Sequence, residues 1–117
     1  MRKALIIGAA LAVSACSTTP KTLYTWGDYQ KTLINYAKDS DEAAFEAGLR
    51  TSIDLAEADS AVPPRLYAEL GYLLYANGNV ADATPLFIKE RELFPESTIL
   101  MDKLIGGTSQ PAQGAVQ

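Results

Sequence analysis

The chain contains no histidine and only one cysteine among its 117 residues. Without histidine, the Ser-His-Asp and Cys-His pairs of nucleophilic enzymes cannot form, and the commonest metal ligand is missing. A single cysteine cannot make an intramolecular disulfide or a thiolate zinc cluster. Positive charge is also scarce, because ten Lys and Arg face fourteen Asp and Glu, for a formal net charge of −4. A nucleic-acid partner is therefore not expected, since such binding requires a basic surface.

The first fifteen residues have the order of a secretion signal. A cationic start, Met1-Arg2-Lys3, is followed by an apolar run over residues 4–13 and then by small residues. This run is too short to span a bilayer as a helix, which needs about 20 residues. Val13-Ser14-Ala15-Cys16 resembles the bacterial lipobox, in which the cysteine becomes the lipidated first residue of the mature chain. We therefore expect residues 1–15 to be a lipoprotein signal peptide and Cys16 to carry the lipid.

Lipid on Cys16 predicts where in the cell envelope the protein is located. Several acyl chains on one residue supply the multiple anchors that stable membrane attachment requires. By resemblance to enteric lipoproteins, a residue other than Asp after the cysteine, here Ser17, implies the outer membrane, and we expect its periplasmic face. Without the signal, eight cations face fourteen anions, and the net charge of −6 would be repelled by anionic lipid. The protein would thus be attached to the membrane through the lipid on Cys16 alone.

The remaining residues divide into a tether, a domain and a tail. Residues 16–22 are the lipidated cysteine and a polar tether, and residues 106–117 lack apolar periodicity and are expected to be disordered. Residues 23–105 form the predicted domain, with helices over 26–38, 42–59, 64–77, 80–94 and 98–105. Asp39 and Glu42 are predicted to cap the second helix, Gly78 to follow the third, and Gly106-Gly107 to end the fifth. The fold class predicted is all-α, with about five helices.

The third and fourth helices resemble one tetratricopeptide repeat of about 34 residues. The matching positions, counted from Pro64, are Tyr67, Leu70, Gly71, Leu74, Gly78, Ala83, Phe87 and Pro95. The resemblance implies antiparallel helix pairs, with Gly71 and Ala83 small where the helices cross and Tyr67 and Phe87 beside them. Glu90 departs from the pattern, which has alanine there. Either the crossing is wider at Glu90, or Glu90 pairs with a nearby cation.

Two longer motifs resemble a narrower group of proteins. Tyr24-Thr25-Trp26-Gly27-Asp28-Tyr29 opens the domain, and Leu93-Phe94-Pro95-Glu96-Ser97 precedes its last helix. Together they look like an uncharacterised family of small bacterial lipoproteins, known as a domain of unknown function with tetratricopeptide-like helices. The resemblance implies an envelope assembly that includes a curli-secretion-channel-like lipoprotein. It brings no catalytic residues and no cofactor.

One stripe of the third helix is a candidate partner-binding surface. Arg65, Tyr72 and Tyr75 lie on it, and in tetratricopeptide arrays this stripe faces the concave groove. Such repeats generally need about three units to bury their faces, and this chain has one good unit. The first hypothesis is therefore a protein–protein interaction adaptor or assembly factor, completed by another envelope protein or by self-association. The alternative is that the first helix or a neighbouring element covers these residues.

Two further hypotheses concern other residues. Tyr24, Trp26 and Tyr29 are a possible aromatic platform for cell-wall glycan or peptide, although residues at this spacing also commonly cover the edge of a core. A hydrolase is the weakest hypothesis, because the acids are scattered over exposed helical faces and no nucleophile–base pair is present. Asp39-Ser40-Asp41 lacks the glycine of a calcium loop, so no metal site is expected. We therefore predict that the protein is not an enzyme.

Overall fold

The computed structural model describes residues 22–109, so the predicted signal peptide, Cys16 and residues 110–117 lie outside the described part. It contains five α-helices: α1 (Tyr29–Asp39), α2 (Glu42–Ala58), α3 (Leu66–Ala76), α4 (Val80–Leu93) and α5 (Thr98–Ser109), with a 3-10 turn at Pro95–Ser97. No strand occurs within these residues, which confirms the all-α prediction. Over the same residues, no helix is both long enough and apolar enough to cross a membrane.

The third helix lies at the centre of the packing. It contacts α2 on one side and α4 on the other, while α1 packs on α2 and α5 packs on α4. The buried core consists of Leu49 and Ile53 of α2, Leu66, Tyr67, Leu70, Leu73 and Leu74 of α3, Ala83 and Phe87 of α4, and Met101 of α5. Since α3 supplies half of these side chains, its nearly continuous apolar sequence is explained by neighbours on several sides.

The tightest contact in this core lies where α3 crosses α4. Phe87 and Ala83 are both fully buried. A Cβ atom placed on Gly71 would lie 2.7 Å from Cε1 of Phe87, closer than real Cβ contacts allow. The two helices are joined by a short turn in which Gly78 has a φ of +85°, the left-handed conformation expected after α3. The predicted roles of Gly71, Ala83, Phe87 and Gly78 are therefore confirmed.

The segment before α1 is fixed by a glycine and by a threonine. Gly27 has a φ of +54°, so the chain turns there and α1 begins at Tyr29 rather than at the predicted residue 26. The Thr25 backbone N–H donates to the carbonyl of Ala61 at 2.8 Å. The Thr25 hydroxyl donates to Oδ2 of Asp59 at 2.7 Å. The segment is thereby attached to the loop between α2 and α3.

The predicted start of α2 was correct, but its cap was assigned to the wrong residue. The N-cap is Asp41, whose Oδ1 accepts a hydrogen bond from the backbone N–H of Ala44 at 3.0 Å. Asp39 lies two residues before Asp41, and its Oδ1 accepts a hydrogen bond from the backbone N–H of Asp41 at 3.0 Å. The reason is that Ser40 takes a left-handed conformation, φ 55°, and ends α1. Asp39 is thus part of α1, and it orients the capping residue.

The largest difference from prediction is at the end of α5. This helix continues through Gly106 and Gly107 to Ser109, four residues beyond the predicted end, so the predicted tail boundary at residue 106 was wrong. The hydroxyls of Thr108 and Ser109 both donate to the carbonyl of Ile105, at 2.7 and 3.1 Å. A Cβ on Gly107 would lie 3.4 Å from the hydroxyl of Tyr75. The helix thus continues through two residues whose low helix propensity disfavours it by about 1 kcal/mol each relative to alanine.

Candidate docking groove on the third helix

An open groove of about 640 Å³ runs along α3. Its lining comprises Tyr36, Glu42 and Phe45 from α1 and α2, Arg65, Ala68, Glu69, Tyr72, Leu73 and Ala76 from α3 and the residue before it, Glu90 of α4, and Ser97, Leu100, Met101 and Leu104 from α5 and its preceding turn. We call this surface the α3 groove. It arises because α3 is covered by α2 and α4 on its other faces. The stripe between them stays open.

The structure brings two of the three predicted partner-binding residues into this groove. Arg65 and Tyr72 both line it. Tyr72 is 60% exposed, although it belongs to an otherwise largely buried helix. Tyr75 does not line the groove, because it packs against the core and its hydroxyl meets α5 near Gly107. The alternative weighed above, cover by a neighbouring element, therefore applies to Tyr75 and not to Tyr72.

The apolar sides of the groove come from residues that the sequence did not single out. The rings of Tyr36 and Phe45 stack with centroids 4.4 Å apart and form the side nearest α1 and α2. Leu100 and Leu104 of α5 form the opposite side, and Leu100 is 58% exposed. The spacing of these two leucines, one helical turn apart, was the available signal. An unpartnered apolar stripe on α5 becomes meaningful only once α5 is known to lie beside α3.

Glu69 of α3 also lines the groove. The Tyr29 hydroxyl donates to Oε1 of Glu69 at 2.6 Å and so attaches α1 to α3. Burial, together with this hydrogen bond to a carboxylate, raises the pKa of the Tyr29 hydroxyl above its ordinary value. Oε2 of Glu69 is buried and has no hydrogen-bond partner within residues 22–109. A buried acceptor without a donor is unfavourable by about 1–3 kcal/mol, and by more when it is charged.

Glu90 is fully buried beside the start of α3. Its Oε1 accepts a hydrogen bond of 2.6 Å from the backbone N–H of Arg65, a residue in the left-handed conformation with φ 77°. Burial raises the pKa of the Glu90 carboxyl, and hydrogen bonds from the backbone N–H groups of Arg65 and Ala68 act in the opposite direction. Glu90 thus binds the backbone where α3 begins, instead of the cation that the sequence suggested.

The charges of the groove are mostly acidic. Three carboxylates, Glu42, Glu69 and Glu90, line it, and Arg65 is its single cation. The ion pairs found within residues 22–109 join Arg50 to Glu46, Lys89 to Glu57, and Arg91 to Asp102, all on exposed surfaces. Arg65 takes part in none of them. The groove therefore combines apolar sides with a mostly acidic set of charged residues.

The predicted aromatic platform is engaged in packing at two of its three residues. The ring of Tyr24 lies edge-on to Phe94 with centroids 6.4 Å apart, so the two family motifs meet in space. The Trp26 ring is tilted against Tyr29 at 5.5 Å, and the Tyr29 hydroxyl is bonded to Glu69. Trp26 is 39% exposed. Tyr24 thus contacts the end of α4 and Tyr29 contacts α3, and Trp26 is the most exposed of the three.

The sequence was compared with known families, curated proteins and solved structures. Residues 23–104 match a family described as "Domain of unknown function (DUF4810)". No curated protein and no solved structure matches the chain significantly. In residues 22–109, no cluster of three or more His, Cys, Asp or Glu is placed to hold a metal ion. The family match covers both sequence motifs and all helices up to Leu104 of α5, so the chain belongs to the family of the domain of unknown function DUF4810.

Proposed function

We propose that this protein is a lipid-anchored envelope lipoprotein that acts as a helical adaptor or assembly factor for other envelope proteins. The observation that carries the proposal is the α3 groove, in which Tyr72 and Leu100 leave large apolar surfaces exposed to water. Exposed apolar patches bordered by polar residues are typical of protein–protein interaction sites. The family resemblance suggests a curli-secretion-channel-like lipoprotein as one such partner. The role needs no catalytic residue and no cofactor.

The proposed anchor is the lipid on Cys16, followed by a short polar tether that leads into the domain at Leu23. Because the domain is acidic, the lipid rather than the protein surface would hold it at the outer membrane, on the periplasmic face. Labelled palmitate supplied to cells is expected to label the full-length protein. The Cys16→Ala variant should carry no label. Equal labelling of the variant and the parent would contradict the proposed anchor.

The adaptor role predicts that envelope partners bind through Tyr72. After crosslinking in intact envelopes and solubilisation in detergent, the full-length protein should copurify with a defined partner, and Tyr72→Ala should lower the recovered partner at least tenfold. Truncation of a central interface residue commonly weakens binding by 2 kcal/mol or more, which corresponds to such a factor. Tyr75 is unsuitable for this test, because its side chain packs against the core.

The matched control is Ile99→Ala. Ile99 is 75% exposed and neighbours Leu100 on α5, but it does not line the groove. This variant should recover as much partner as the parent. Equal loss in both variants, or no loss in Tyr72→Ala, would contradict docking in the α3 groove.

The alternative, a binding module for cell-wall glycan or peptide, has weaker support. It depends on Tyr24, Trp26 and Tyr29 acting together. The Tyr24 ring packs on Phe94 and the Tyr29 hydroxyl is bonded to Glu69, and both residues are half-buried. An open cavity of about 770 Å³ is lined by Trp26 and Tyr29 but not by Tyr24, so the three rings do not line one site, and we favour the adaptor role for that reason.

A further inference from the structure

Several large apolar side chains that the described domain exposes to water lie around its first residues. Leu23 is 79% exposed, and Trp26, Leu55 and Leu93 are exposed as well. Leu23 and Leu93 line one open cavity of about 560 Å³. Leu55 lies beside the turn that follows Trp26, since a Cβ atom on Gly27 would lie 3.3 Å from its Cδ1. We call Leu23, Trp26, Leu55 and Leu93 the N-terminal apolar edge.

The residues between Leu23 and Trp26 hold this edge in place. The Tyr24 ring lies edge-on to both Trp26 and Phe94, with centroids 6.5 and 6.4 Å apart. Thr25 is hydrogen-bonded through its backbone N–H and its hydroxyl to the loop between α2 and α3. Because Tyr24 and Thr25 make the contacts with the domain, Leu23 and Trp26 are left at the surface.

The edge lies close to the proposed lipid anchor along the chain. Leu23 is the seventh residue after Cys16. That length of chain spans at most about 25 Å, even when it is fully extended. The lipid would therefore confine the edge to the layer of water next to the membrane surface. In that layer a contact with the membrane becomes effectively intramolecular, so a small apolar area is sufficient.

The chemistry of the edge fits the boundary between lipid headgroups and acyl chains. Tryptophan is enriched at that level of membranes, because its ring is apolar and its N–H is polar. Lys31 and Asp28 both line the open cavity that Trp26 borders, so the charges beside the ring balance. A lysine next to apolar surface can also extend its ammonium group towards lipid phosphates. The acidic domain is repelled by anionic lipid, but this repulsion does not apply to headgroups without net charge.

We infer that the N-terminal apolar edge contacts the surface of the membrane that holds the lipid anchor, with Leu23 and Trp26 at the boundary between headgroups and acyl chains. This inference rests on the lipid anchor proposed above. It adds a second attachment, which fixes the side of the domain that faces the membrane. The competing occupant is a protein partner, and the short distance between the edge and the anchor favours the lipid.

Trp26 itself reports this contact, because it is the only tryptophan in the chain. The full-length lipidated protein is isolated from cells and reconstituted into phosphatidylcholine vesicles with either ordinary or brominated acyl chains. Bromine quenches an indole only at close range. The brominated lipid should lower the Trp26 fluorescence by about half, as expected for a ring at the boundary between headgroups and acyl chains. Equal fluorescence in the two kinds of vesicle would overturn the inference.

Two aspartate variants separate contact with the membrane from simple proximity to it. Leu23 and Ile99 are similarly exposed, so Leu23→Asp and Ile99→Asp should both keep the parent's melting temperature. Leu23→Asp places a charge in the edge and should remove most of the quenching, while the lipid still holds the protein on the vesicles. Ile99 lines neither cavity of the edge, and Ile99→Asp should be quenched like the parent. Equal quenching in all three proteins would show that the anchor only keeps the domain nearby, and the inference would fail.

The outcomes distinguish this inference from the proposed anchor. If the parent floats with the vesicles and Cys16→Ala does not, but Trp26 is not quenched, the anchor stands and only the present inference fails. If the parent neither carries palmitate nor floats with the vesicles, the anchor fails and the inference fails with it. If Trp26 is not quenched and Leu23→Asp loses a copurifying envelope protein, the edge docks a protein, and the lipid contact is overturned.

Discussion

Phe87→Ala should lower the free energy of unfolding by about 3–5 kcal/mol, the usual effect of emptying a fully buried phenylalanine site. Phe87 has no exposed surface and lies at the crossing of α3 and α4, where it contacts Gly71. A domain of this size has a total stability of about 5–15 kcal/mol, so the loss is a large fraction of the total and should clearly lower the urea concentration at the unfolding midpoint. Urea unfolding followed by circular dichroism measures the difference. A loss below 1 kcal/mol would contradict the described packing of α4 on α3.

The same contact predicts coupling between Gly71 and Phe87. Gly71→Ala should destabilise the parent by about 1–3 kcal/mol, because the new Cβ would lie 2.7 Å from Cε1 of the Phe87 ring. In a Phe87→Leu background that ring atom is gone, and the higher helix propensity of alanine should remove most of the loss. Gly106→Ala is the control, since nothing lies near its added Cβ, and it should be neutral or slightly stabilising. Strict additivity of the Gly71 and Phe87 changes would contradict the contact.

Glu90→Ala should lower the free energy of unfolding by about 2–4 kcal/mol at neutral pH. The variant leaves the Arg65 backbone N–H without its acceptor and opens a cavity in a fully buried site. Glu90→Gln retains an oxygen acceptor for that N–H and should be close to the parent in stability. Thermal unfolding at pH 7 compares the three proteins. An unaffected Glu90→Ala variant would show that Glu90 does not hold the start of α3.

The pH dependence of the Glu90 contribution has a definite sign. Burial raises the pKa of its carboxyl in the folded state above the value of about 4.3 for an exposed glutamate, so the folded protein binds the proton more tightly. The contribution is fully present below the unfolded pKa and decreases as the pH rises through the folded pKa. Glu90→Gln should therefore gain stability relative to the parent as the pH is raised from 4 to 8. Parallel curves would contradict the raised pKa, and Glu92→Gln on the exposed surface is the control.

The helices themselves could be predicted from the sequence, but the contacts at their ends could not. Helical periodicity located all five helices, and the tetratricopeptide pattern placed Gly71 at the crossing of α3 and α4 with Phe87 beside it, as the structure has them. Tyr75 was assigned to the open surface because its stripe of the third helix faces the concave groove in tetratricopeptide arrays. The decisive contact, between Tyr75 and the α5 backbone at Gly107, depends on tertiary packing that overrides local propensity.

Glu90 illustrates a second limit of prediction from the sequence. Its departure from the repeat pattern predicted either a wider crossing or a cation as its partner. The partner is instead a backbone N–H, available because Arg65 adopts a φ of +77° after two prolines. A backbone N–H becomes available as a hydrogen-bond donor through the local conformation of the chain, and no pattern of side chains in the sequence shows that conformation.

The role that we propose for the α3 groove is to hold another envelope protein. It is tested most directly by placing a photo-crosslinking amino acid at position 72 of the full-length protein in living cells, with position 34 as the control. Ile34 is 54% exposed but lies outside the groove. Irradiation should yield a discrete crosslinked product from position 72 and none from position 34. Absence of any product from position 72, or the same product from both positions, would contradict the claim.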